Sequence, residues 1–108
     1  MKKSELKAVI KEYYKEVLLE AISPAANKFV SALEKTVKFY KNRVSKETDA
    51  DIKSTLTSDL NKYEKALSIA KNNPAAGYKA WRNMDTELRD VIIDYISKKD
   101  LDTFAREL

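Results

Sequence analysis

The stretch PAANKFVSALEKTVKFYKNRV, residues 24–44, decides the fold by its spacing. Ala26, Phe29, Val30, Leu33, Val37, Tyr40 and Val44 recur every three or four residues, the period of a helix with one apolar face. Pro24 suits the first helical position, and Ser23 can cap it.

The same period extends to both sides. Upstream, Ser4 is a good N-cap, and Leu6, Val9, Ile10, Tyr13, Tyr14, Val17, Ala21 and Ile22 predict a helix that stops where Pro24 disfavours helical geometry at Ser23. The connection is so short that one long helix kinked at Pro24 is the alternative. Downstream, Ser45 to Asp51 reads as a polar loop in which Thr48 or Asp49 caps a third helix carrying Ile52, Leu56, Leu60, Tyr63, Leu67 and Ala70. Asn73-Pro74 opens a short helix with Tyr78 and Trp81, and Trp81 is expected in the core. Asp85 is expected to cap a helix over 85–98 with Leu88, Val91, Ile92, Tyr95 and Ile96; Val91-Ile92-Ile93 is β-branched, but the spacing is helical. Asp100 is expected to cap a last turn or two containing Leu101, Phe104, Ala105 and Leu108.

The chain has one glycine and two prolines among 108 residues. Sheets need many turns built from such residues, so few punctuators imply few, long elements. The expected fold is all-α: a single helical domain over residues 1–108, four-helix-bundle-like with antiparallel neighbours. Residues 74–82 and 100–108 form short extra helices in this reading. Apolar residues at 44% can fill one core, and charged residues at 35% match a solvated helical surface.

Cysteine and histidine are both absent, which excludes disulfides, thiolate and imidazole chemistry, and the usual zinc ligands. No apolar run approaches a membrane span. Lys2 and Lys3 are followed at once by Glu5, Lys7 and Lys11, which breaks a signal-peptide core, so the expected location is cytoplasmic. Net charge is +4 and uneven. Residues 1–46 carry 11 basic and 5 acidic side chains, and residues 47–108 carry 10 and 12.

Candidate chemistry is sparse. Ser4-Glu-Leu-Lys7 and Ser68-Ile-Ala-Lys71 have the Ser-x-x-Lys spacing of penicillin-recognising enzymes but lack their companion elements, so no catalytic residue is expected. Glu87, Asp90 and Asp94 share one face of the 85–98 helix and read as a solvated acidic face; no metal or cofactor is expected. Lys7, Lys11 and Lys15 form a cationic edge on the first helix.

The second helix is more specific. At roughly 100° per residue its apolar stripe centres near Leu33 and Val44. Lys28, Lys35, Lys38, Arg43 and Lys46 fall on the opposite side, with Phe39 among them. An aromatic ring set in cations suits a protein partner as an anchor, or single-stranded nucleic acid as a stacking face. A helix buried on both sides would instead place Phe39 in core.

In size, charge and bundle pattern the chain resembles bacteriocin immunity proteins and small phage-encoded inhibitors, a likeness of class carried by no single motif. It implies a small bacterial or phage inhibitor or regulator. The expected function is therefore a non-enzymatic interaction protein that binds an anionic macromolecular surface through Lys28, Lys35, Lys38, Phe39, Arg43 and Lys46. A protein is the expected partner. Non-specific nucleic-acid binding by the same face is the alternative.

Overall fold

A computed structural model of the chain describes residues 24–108. The expected helix over 4–22, with its Ser4 cap, its Lys7-Lys11-Lys15 edge and the Pro24 kink, lies outside the described residues. Helices are α1 (Pro24–Lys46), α2 (Ala50–Asn72), α3 (Pro74–Arg82), α4 (Thr86–Asp90) and α5 (Lys98–Glu107), with a 3-10 turn over Val91–Asp94 between the last two. The described residues are 87% helical and contain no strand, so the fold is all-α.

Each connection has a local cause. After α1, the Glu47 carboxylate accepts from the backbone N–H groups of Thr48 and Asp49, both at 3.1 Å. Asp49 then caps α2 by accepting from Asp51 N at 2.9 Å and Ile52 N at 3.1 Å. The α1–α2 connection is thus three residues long, and the helices return antiparallel, with Tyr40 stacked on Tyr63 and Val30 beside Ala70.

Asn73 is the whole link between α2 and α3. Its N–H donates to Ile69 O at 2.9 Å, closing α2, while its side chain accepts from Ala76 N at 3.2 Å, opening α3. A hinge of one residue folds α3 so tightly onto α2 that a Cβ on Gly77 would press against the Ala70 Cβ and lie 2.6 Å from its Cα. That close crossing accounts for the single glycine of the chain.

Phe29 on α1 forms the centre of the lower core. Its ring meets Tyr78 at 5.7 Å, Trp81 at 5.8 Å and Phe104 at 5.3 Å between centroids, which joins α1 to α3 and α5. Leu33, Tyr63 and Ile92 are fully buried above it.

The expected helix over 85–98 is not continuous. Only Thr86–Asp90 is α-helical, and Asp85 stands at its N-cap without a side-chain hydrogen bond. In a continued helix Leu88 O and Arg89 O would accept from the amides four residues on. Here Tyr63 OH donates to Leu88 O, and Trp81 Nε1 donates to Arg89 O at 3.2 Å. Trp81 and the Ile92 amide stand close to the Tyr63 hydroxyl. A buried side chain has inserted into the helical ladder at Leu88–Ile92, and the chain tightens into a 3-10 turn. The last helix also starts earlier than expected: Ser97, not Asp100, caps it by accepting from Asp100 N at 3.1 Å.

Burial raises the Tyr63 pKa well above its ordinary value, and the nearby Trp81 indole and Ile92 amide only partly oppose this. A raised pKa favours the neutral phenol in the folded state. The resulting stability is complete below the unfolded value of about 10 and is lost as pH rises above it. Tyr63→Phe is therefore expected to cost about 1–3 kcal/mol at neutral pH by orphaning Leu88 O. The gap from wild type should narrow as denaturation is repeated at rising pH above 10.

Gly77→Ala offers a second check. Helix propensity alone would stabilise α3 by about 1 kcal/mol. The overlap with Ala70 should reverse the sign, giving a net loss of about 1–3 kcal/mol in urea denaturation.

Candidate basic docking face

α1 presents its buried side through Phe29, Thr36 and Tyr40, with Ala25, Ala26, Ala32, Leu33 and Val37 around them. The expected centre at Leu33 and Val44 is displaced, because Val44 is only half-buried whereas Thr36 is fully buried. Thr36 reads as polar in the sequence. Its hydroxyl donates to Ala32 O at 2.8 Å within its own helix, so it enters the core fully satisfied.

This rotation changes the setting of Phe39. With residues about 100° apart, Lys28, Lys35, Phe39, Arg43 and Lys46 form one strip within roughly 80° of arc along the flank of the buried face. The strip runs about 27 Å at 1.5 Å per residue. Lys38 lies farther round, toward open solvent. Phe39 is half-buried, neither in the core nor fully exposed, and packs edge-on against Tyr40 with centroids 5.3 Å apart.

The six residues differ in what they meet. Lys28 Nζ lies 3.4 Å from Asp100 Oδ1, so the lower end of the strip is tied to α5. The groove beside it is lined by Ser31, Lys35, Tyr95 and Ser97. Lys35, Lys38, Arg43 and Lys46 are exposed, and none of them belongs to an ion pair among the described residues. The Arg43 guanidinium sits 5.7 Å from the Phe39 ring centroid, a cation–π contact. Burial raises the Tyr40 pKa, Asp59 adds to the rise, and Arg43 opposes it; both charges therefore act near the Tyr40 hydroxyl.

One surface residue was legible only as core. Ile52 falls on the inward line of α2 with Leu56, Tyr63 and Ala70, yet it is 48% exposed. It stands in the first turn of α2, close to the end of α1, where among the described residues no third element packs over the hairpin tip. Its position next to the loop is the only signal of this in the sequence.

The other candidates offer less. Glu87, Asp90 and Asp94 are all exposed, and the break in the helix separates Asp94 from the other two. Among the described residues no three acidic groups come together in a way that could hold a metal ion. Ser68 is exposed in mid-helix. Trp81 and Gly77 are buried and form part of the packing. No described helix is long and apolar enough to cross a membrane. Comparison with protein-family models, with curated proteins and with solved structures finds no match to this chain.

The two phenylalanines of α1 should separate in their energetics. Phe29→Ala is expected to cost roughly 3–5 kcal/mol, as for a fully buried ring. Phe39→Ala should cost about 1–2 kcal/mol, in proportion to its partial burial. Paired urea titrations measure both, and equal costs would return Phe39 to the core.

Proposed function

We propose that this chain is a non-enzymatic interaction protein, an inhibitor or regulator, that binds an anionic macromolecular surface through the basic face of α1. One observation carries the reading: Lys35, Lys38, Arg43 and Lys46 stand exposed and outside the ion pairs of the described residues, around a phenylalanine that is only half-buried. Cations gathered beside an apolar surface supply both steering and contact area for an acidic partner. The lack of histidine and cysteine supports a role that needs no acid–base or nucleophilic chemistry. The bundle-like architecture belongs to the same reading, with the antiparallel α1–α2 pair presenting the face. A protein is the proposed partner, and the protein is proposed to act in the cytoplasm.

Lys35→Glu combined with Lys38→Glu tests the face. Immobilised wild-type protein would be used to capture its partner from the source cell, and association with the purified partner then followed by surface plasmon resonance. The double reversal should slow association by about tenfold at low salt, with a smaller effect at high salt and little change in dissociation. Unchanged association at low salt would remove the face from the reading.

A further inference from the structure

Ring contacts run without a break from the core to one surface guanidinium. Tyr63 is fully buried. Tyr40 stacks on it at 5.7 Å, Phe39 meets Tyr40 edge-on at 5.3 Å, and Arg43 lies 5.7 Å from the Phe39 centroid. A guanidinium held against a ring has lost much of its rotamer freedom before any partner arrives, while its N–H fork stays free to meet an oxyanion. Arg43 belongs to neither of the ion pairs formed among the described residues, Lys28–Asp100 and Lys41–Glu64.

We infer that Arg43, oriented by Phe39, selects the partner, and that the partner is an acidic amphipathic protein segment that sets a carboxylate in the Arg43 fork. The inference rests on the basic-face reading above and sharpens it. A carboxylate matches the guanidinium in two parallel hydrogen bonds. Half-buried Phe39, beside the fork, adds the apolar contact that an amphipathic segment uses. Single-stranded nucleic acid asks for something different, an open aromatic face on which a base can stack between cations. The aromatic ring on this strip is half-buried, with Arg43 over it and Tyr40 at its side. The strip therefore offers charge and apolar surface without a free stacking platform. Phe39 is a positioning residue here, because it acts through the guanidinium.

Two fluorescently labelled probes test this by anisotropy: a helical peptide of about 18 residues, long enough to span the strip, built from glutamate and leucine, and a random single-stranded oligonucleotide. The peptide should bind more tightly than the oligonucleotide. Arg43→Lys keeps the charge but loses the planar fork, and should weaken peptide binding about fivefold. Phe39→Leu should weaken it to a similar degree, and the double variant should be no worse than either single one, because both changes undo the same contact. Lys79→Gln, which removes one positive charge from α3, should leave affinity unchanged. Circular dichroism and urea denaturation confirm that each variant is folded. Wild-type affinity in Arg43→Lys would overturn the inference alone, as would losses that multiply in the double variant or tighter binding of the oligonucleotide. Failure of the wild-type protein to bind either probe would overturn the basic-face reading and this inference together.

Discussion

The hydroxyl of Tyr63 is the constraint on which the rest of the arrangement turns. The side chain is fully buried, and a buried phenol left without a partner costs about as much as the rest of its burial contributes. It finds its acceptor in Leu88 O. That solution removes a rung from the helix that the 85–98 spacing would otherwise build. The chain turns through Val91–Asp94 instead, and the turn lets α5 lie back along α1, where Phe104 reaches Phe29. A continuous helix would carry residues 95–98 onward along its axis, and α5 would begin from a different place.

The same side chain links the core to the surface. Tyr40 stacks on Tyr63, and Phe39 and Arg43 follow from it. Below that level α1 is flanked by α2, α3 and α5; above it, among the described residues, only α2 continues. Among the described residues the hairpin tip consists of two helices, with Ile52 exposed and Phe39 and Val44 half-buried there.

Much of this was legible in the sequence where a local rule acts alone. Scarce punctuation and a helical period announced an all-α chain, and Asn73-Pro74 marked the start of α3. Trp81 lies in the core with its indole N–H satisfied, as a lone tryptophan among apolar neighbours suggests. The parts that could not be read depend on long-range pairing. Nothing between residues 85 and 98 says that Tyr63, 25 residues before Leu88, will take its carbonyl. Thr36 looked polar because periodicity cannot see a hydroxyl satisfied by its own helix, and that misplaced the centre of the buried face. Ile52 looked buried because its stripe is correct, while the cover over that stripe stops short of it. The cationic residues themselves were visible. Their grouping around Phe39 was visible too, since Phe39 and Arg43 are four apart on one helix; what the burial of Thr36 decides is that the strip flanks the buried face instead of lying opposite it.

The charges on α1 carry a last argument. Lys28 and Lys41 pair with Asp100 and Glu64 at 3.4 Å and 3.8 Å, so the acidic second half of the chain neutralises part of the basic first half. Such exposed pairs are worth only about 0–1 kcal/mol each and do not hold the helices together. Arg43 and Lys46 lie in the last turn of α1, where a cation complements the helix dipole, so their presence has a local reason. Lys38 follows Glu34 by four residues, a favourable order on a helix, and Lys35 lines the groove with Tyr95 and Ile96. The two lysines sit in mid-helix, three residues apart, where like charges repel slightly. Neither lies close enough to the helix end to benefit from the dipole. Glutamate or glutamine would form the helix as well. These local gains are small, and none of them explains why four cations gather around one half-buried ring, which is the grouping the proposed acidic partner would use.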